Sequence, residues 1–353
     1  MRLRAGGPRR GNYIRRPALT RKVLLGLAVL AVICVGAYVR IYHGKPPMEV
    51  AYAGNRQVTV WRTTAQVREA VTTVSFGERL DVLKRFQDQV NVRTTNGTVG
   101  WVAERDLLSA DLWQKAKDLE AKAAAMPVEA RGHTRVLSNL HIAPGRDTPR
   151  IRQLSKAIHV EVYERQPMEV PATALAKAGD DDENSGEPPQ ARKEDWWLVR
   201  AHTQDDTTVS GWLLGRFIDL DVPSPLPDYA SSTGMRILAW FELNRVNDDS
   251  GQPRPQYLVL GTHGPEGQPC DFTMLRVFTW GIQRERYETA FVESKACGKL
   301  PVKIMPPAAP GGEITFSFEN LGGGAPEERR YLMHQTIVRR VREGRGQTRK
   351  QPR

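Results

Sequence analysis

Between residues 58 and 108 apolar side chains recur at every second position in short runs. Val58 and Val60, Leu80 and Val82, and Val90 and Val92 alternate with polar neighbours, and Val74–Phe76 and Val99–Trp101 complete the set, with Leu107 closing it. A period of two marks half-buried strands. Asn96-Gly97 is a tight-hairpin signal, because both residues tolerate positive φ. Five or so short strands in so short a span suit a small barrel. The pattern then changes. Residues 109–127 are rich in Ala, Lys, Glu and Leu and end on Pro127, which reads as a helical linker capped by Ser109 or Asp111. Leu112, Ala116, Leu119 and Ala123 share one face, suited to docking on a barrel or to a plain spacer.

Strand patterning returns over 134–222. Leu140-His141-Ile142-Ala143-Pro144-Gly145 reads as a strand and turn, Val160 and Val162 alternate, and Trp196-Trp197-Leu198-Val199-Arg200 leads to Gly211-Trp212-Leu213. Residues 166–194 interrupt this set with Asp180-Asp181-Asp182-Glu183 and Pro188-Pro189, a composition that cannot bury a core and predicts a disordered insertion. From 228 to 342, runs such as MRILAWFEL, PQYLVLGT, FTMLRVFTWG, EITFSFENL and RRYLMHQTIVRRV read as about seven strands of an antiparallel sandwich or barrel. The fold class expected is therefore mainly β.

One segment belongs to neither pattern. Residues 23–39 are uncharged and apolar, and with Ile41 and Tyr42 the run 23–42 is expected to form a transmembrane helix: 17 residues at 1.5 Å each span about 25 Å against a bilayer core of about 30 Å. Residues 1–22 carry eight basic residues and no acid, which places the N-terminus in the cytoplasm and the bulk of the chain outside it. Val35-Gly36-Ala37 leaves open cleavage after Ala37 as a signal peptide. Residues 43–57, with Pro46, Pro47 and Gly54, read as a spacer.

Charge sharpens this picture. The net charge is +11, of which residues 1–22 carry +8 and 339–353 carry +6, leaving −3 for the rest. The positive charge sits in tails, the second being a basic disordered end at 343–353, so nucleic acid is not the expected partner. Outside the cytoplasm, Cys270 and Cys297 are expected to form a disulfide, worth about 3 kcal/mol in the chain-entropy picture.

The two Gly-Trp sets resemble bacterial SH3 (SH3b) domains. The first, 58–108, carries FGERLDVLKR, VNVR and VGWV; the second, 134–222, carries LHIAPG, HVEVYE, WWLVR and SGWL. Both depart from the family's Asn-Val-Arg-Ser-Gly-Pro opening, a segment near the ligand groove in several relatives. The resemblance implies two small β-barrels, each with a tryptophan after a close-packed glycine covering one end of its core. It also implies a bacterial envelope location, at the inner membrane with the bulk periplasmic or extracellular, and peptidoglycan or a wall peptide as ligand. The candidate binding residues are Trp101, Trp196, Trp197 and Trp212. A scaffold or sensor subunit that docks another envelope protein is the alternative. A wall hydrolase is a third: SH3b domains often accompany cysteine peptidases, but Cys270 precedes a strand, not a helix. No GxSxG, phosphate loop or HExxH occurs, and the seven histidines form no ligand-spaced pair, so no catalytic residue, metal or cofactor is expected.

Overall fold

A computed structural model describes residues 26–36, 46–170, 192–307 and 312–341. Antiparallel sheets make up most of them. The first sheet comprises β1 (Glu49–Ala53), β2 (Gln57–Trp61), β3 (Ala70–Ser75), β4 (Arg79–Phe86), β5 (Gln89–Thr94), β6 (Val99–Ala103) and β7 (Leu107–Ser109), in the order β3-β2-β6-β5-β4-β1-β7. Its alternate side chains, among them Val60, Leu80, Val82, Val92 and Val102, close on one another as a core inside the curl of a half-barrel. The expected spacer at 43–57 thus contains a strand. β1 pairs with both β4 and β7, and its small residues Ala51 and Ala53 are buried.

After helix α1 (Ala110–Ala124), the same plan repeats. The second sheet comprises β8 (Ala130–Thr134), β9 (Ser138–His141), β10 (Arg150–Leu154), β11 (His159–Glu169), β12 (Lys193–His202), β13 (Thr208–Leu214) and β14 (Ile218–Leu220), ordered β10-β9-β13-β12-β11-β8-β14. Every strand occupies the place of its counterpart seven earlier, and a 3-10 turn precedes the last strand in both copies. The segment 166–194, expected to be disordered, is paired at both ends: Gln166 faces Trp196 and Glu169 faces Lys193 across β11–β12. Residues 171–191 lie outside the described residues.

The Gly-Trp motif has a steric cause. In each copy the glycine sits where one strand crosses another at close range. A Cβ on Gly100 would lie 2.5 Å from Val60 Cγ1 and 2.7 Å from the Trp61 carbonyl oxygen; one on Gly211 would lie 2.5 Å from Leu140 Cγ and 2.9 Å from the His141 carbonyl oxygen. The tryptophan that follows points away from the half-barrel's interior. Trp212 is not a plug in its own barrel's core. It packs on the outer face with Tyr163, Trp196, Leu198 and Leu214, under Ala123 of α1.

Helix α1 is therefore a docked element. The Ser109 hydroxyl caps it by accepting from the Leu112 amide at 3.1 Å. Its N-terminal half holds the first sheet, where Trp113 stacks on Tyr52 with centroids 4.9 Å apart; its C-terminal half covers the second. Arg152, buried in β10, adds a second link, lying 4.3 Å over the Phe76 ring and bonding Asp205 at 2.8 Å.

A short helix, α2 (Leu226–Ser231), leads into eight further strands. They are β15 (Arg236–Asn247), β16 (Pro253–Thr262), β17 (Met274–Gly281) and β18 (Arg286–Glu293) in one meander, then β19 (Gly298–Met305), β20 (Ile314–Asn320), β21 (Glu327–His334) and β22 (Ile337–Val341) in another. The run RRYLMHQTIVRRV forms a hairpin that reverses at Gln335, not one strand. The two meanders share a core in which Phe272 meets Phe318 and Phe291 meets Tyr331. The Cys270–Cys297 disulfide joins the segments that flank the β17–β18 hairpin.

Among the described residues no helix is long and apolar enough to cross a membrane. Residues 26–36 are helical with exposed Leu27, Leu30 and Ile33; the rest of the span expected at 23–42, both basic tails and the core of the 166–194 insertion lie outside the described residues.

Two expectations follow. Gly100→Ala and Gly211→Ala should each destabilise the chain by about 1–3 kcal/mol through overpacking against backbone, read as a lower urea midpoint. The second concerns Glu129, 2% exposed, whose carboxylate accepts from the Val302 amide across the join between the second sheet and β19. Burial pushes its carboxyl up to about 7; the Val302 amide opposes this and the charge of Asp271 adds to it. A carboxyl whose folded value is raised contributes its stability fully below its ordinary value of 4.5 and loses it as pH rises through about 7. Glu129→Gln should therefore match the wild type near pH 5 and exceed it by about 2 kcal/mol near pH 8.5 in denaturant titrations.

Candidate functional site

β12 separates two concave features, and alternation decides which side chain serves which. Trp196 points to the outer face and Trp197 to the inner one, each with little solvent access. On the outer side lies a groove of about 280 Å³ between the 139–146 turn and the end of β13. Trp196 forms its wall, set edge-on to His141 with centroids 5.2 Å apart. Arg146 and Arg216 stand at the rim, and Gln153 and Asn139 supply neutral polar groups.

The two arginines are held by one buried carboxylate. Arg146 Nε donates to Glu194 Oε2 at 2.8 Å and Arg216 Nη1 to Glu194 Oε1 at 2.6 Å. Glu194 keeps 4% side-chain exposure, while the guanidinia keep 37% and 36%. Burial alone would raise the Glu194 carboxyl, but the two guanidinia outweigh it and hold it below the ordinary carboxylate range. The triad therefore carries a net positive charge at its exposed end, fixed in place and suited to a carboxylate.

His141 adds an acceptor. Its Nδ1 lies 2.8 Å from the Thr148 carbonyl oxygen, which can only accept, so Nδ1 carries the proton and Nε2 is left as an acceptor. Burial lowers its pKa against the pull of that carbonyl, with Arg150 lowering it further, so the ring is neutral near pH 7. The groove thus offers fixed cations, a neutral imidazole acceptor and an aromatic wall. The Ser138 hydroxyl in the groove lining donates to the Val136 carbonyl oxygen at 2.8 Å, and the thiols of Cys270 and Cys297 are joined to each other. Among the described residues no group of His, Cys, Asp and Glu is arranged to hold a metal.

The four candidate tryptophans do not form one site. Trp196 walls the groove and Trp197 walls a separate cavity on the inner side. Trp212 is 5% exposed beneath α1, with Lys122 Nζ 6.0 Å above its ring. Trp101 is half-buried in the first sheet, paired in register with Trp61. In the first copy, register places Gln89 where the second has Trp196.

No protein-family model and no curated protein matches the chain. Among solved structures it is similar to an NlpC/P60 family protein from Bacillus cereus, at 14% identity and a TM-score of 0.21, over 56% of this chain and 65% of that one. It is also similar to NlpC2 from Trichomonas vaginalis, at 10% identity and a TM-score of 0.17, over 85% of this chain and 98% of that one. Likeness this slight assigns neither an activity nor a ligand.

Arg146, Glu194, Arg216 and His141 were not candidates from sequence. Glu194 ended the segment 166–194 expected to be disordered, and Arg216 lies one turn past the Gly-Trp motif. A strand begun at Lys193 instead of at Trp196 would have placed Glu194 and Trp196 on one face.

Removing the charge that holds the rim should be measurable. Glu194→Gln should cost about 1–3 kcal/mol at pH 7, from two arginines left without their carboxylate. A carboxyl held low contributes above its ordinary value and loses that contribution as pH falls, so the gap between variant and wild type should shrink below pH 4 in urea titrations.

Proposed function

We propose that this chain is a membrane-anchored binding protein of the bacterial envelope, held by residues 23–42 with its N-terminus in the cytoplasm. In this reading residues 49–109 and 130–220 are SH3b-like barrels, and the second recognises a carboxylate-bearing peptide of peptidoglycan. The supporting observation is the groove beside Trp196, bounded by the LHIAPG turn and rimmed by the Arg146–Glu194–Arg216 triad. A wall peptide presents free carboxylates and amides on an extended backbone. The arginines match the carboxylates, His141 Nε2 accepts an amide N–H, and Trp196 packs against an aliphatic stem.

A second reading has one observation in its favour. Trp61, Trp101 and Val99 lie on the outward side of the first barrel, the side that α1 covers in the second. An envelope protein docked there would make the chain a scaffold or sensor subunit, with the barrels as docking modules.

The full chain should co-sediment with isolated peptidoglycan and remain bound at salt high enough to screen the basic tails. Arg146→Ala should weaken that retention about tenfold, the equivalent of about 1.4 kcal/mol. Absence of salt-resistant retention, together with one dominant protein captured by crosslinking in cells, would favour the scaffold.

A further inference from the structure

On the inner side of β12 a larger cavity opens where the second barrel meets the C-terminal meanders. It measures about 460 Å³, within the range of small-molecule sites. Its walls are mainly apolar: Trp197 and Ile218 from the barrel face Met235 and Leu238 at the start of β15, with Ala230 from α2 alongside. Ser231, exposed, stands at the mouth.

Six charged side chains also line it, namely Arg135, Asp195, Arg216, Asp219, Arg236 and Glu266, and two donors in the lining lack a close partner. The first is the Trp197 indole N–H, which has no acceptor among the described residues although the residue is 6% exposed. Gly215, also on the cavity wall, leaves this donor uncovered, since a Cβ there would sit 2.8 Å from Trp197 Nε1. The second is Arg236, 41% exposed and held only loosely, at 3.7 Å from Asp195 and 3.6 Å from Glu266. Asp195 is already committed to Arg165 at 2.6 Å and to the Gly267 amide at 2.8 Å. The other cations of the lining, Arg135 and Arg216, are committed to Asp219 at 2.8 Å and to Glu194 at 2.6 Å. Arg236 is the rim guanidinium that can turn to a ligand with least loss.

An apolar enclosure with an open N–H donor and a loosely held guanidinium is matched by an apolar body bearing one anionic acceptor. A cation would leave both donors unmet, and a polyol, although its oxygens accept, would bury its remaining hydroxyls against Ile218, Met235 and Leu238. We propose that this cavity binds a small amphiphilic monocarboxylate, its chain between the barrel and β15 and its carboxylate on Arg236 near the Trp197 N–H. The proposal makes no use of the groove beside Trp196, with which this cavity shares Arg216 in its lining; it rests on Arg236 and Trp197.

Calorimetric titration of the full chain with decanoate, and with 1-decanol as its uncharged counterpart, both below the concentrations at which they self-assemble, tests this. Decanoate should bind saturably and about tenfold tighter than decanol. Arg236→Gln should remove that preference while leaving decanol binding as it was, and Asp195 keeps Arg165 in this variant. Ser231→Trp, an exposed position at the mouth, should block both ligands with the unfolding midpoint unchanged. Absence of saturable decanoate binding, equal affinity for the alcohol, or binding that survives Ser231→Trp would each overturn the assignment.

Discussion

Three charged side chains almost without access to water fix the second barrel to the C-terminal meanders. Arg165 lies between Asp195 and Asp271, at 2.6 and 3.0 Å, and the three keep 2–4% side-chain exposure. Burying such charges costs several kcal/mol each unless their hydrogen-bonding capacity is met. Here it nearly is. Arg165 also donates to the carbonyls of Gln268 and Cys270, Asp195 accepts from Gly267, and Asp271 accepts from Lys299 and the Leu300 amide. Only Arg165 Nε lacks a partner. Apolar residues could join the two parts with equal strength, but in many relative orientations. A guanidinium shared between two carboxylates permits few. The disulfide ends in the same place, since Cys270 precedes Asp271 and Cys297 lies two residues before Lys299.

The repeated barrels show how one strand plan yields two different surfaces. Strand order, the close-packed glycine and the 3-10 turn are common to both, because they follow from how a short sheet curls on itself. The outward faces differ in character. In the second copy α1 covers Trp212, and Trp196 walls a groove; in the first, Trp101 stays half-buried and Gln89 takes the place of Trp196. The inward positions are apolar in both copies, Val90 in the first standing where Trp197 stands in the second, while outward positions differ in polarity, as Gln89 against Trp196 and Asn91 against Leu198.

That division also explains what was legible in the sequence. Period-two alternation marked the strands whose inward residues are Val, Leu or Ile, and Leu112, Ala116, Leu119 and Ala123 marked the face by which α1 docks. β1 escaped because Ala51 and Ala53 fill its inward positions, and alanine carries little strand signal. The disulfide was legible because only Cys270 and Cys297 lie beyond the apolar N-terminal run. The buried charges were not legible. Glu194, Asp195, Arg165 and Asp271 look like surface residues until partners far away in sequence come within 3 Å, and no local pattern encodes a partner 106 residues away. Trp212 is a buried residue, but its cluster lies on the outer face of the sheet: the glycine crossing sends the next side chain outward, and in the second copy the connecting helix covers it.

Both concave features depend on the register of a single strand. Along β12, Glu194 and Trp196 belong to the groove side, and Asp195 and Trp197 to the cavity and the buried clamp. A slip of one residue that placed Asp195 against Arg146 and Arg216 would leave Arg165 with Asp271 alone. Two constraints oppose such a slip. On one side of β12, Val199 must face Gly211, the one residue in β13 that tolerates the crossing of β9. On the other, the pairing with β11 shifts at a bulge between Val162 and Glu164, which brings Arg165 opposite Trp197 and beside Asp195. The glycine that made the repeat recognisable therefore also helps set which side chains reach the groove and which reach the clamp.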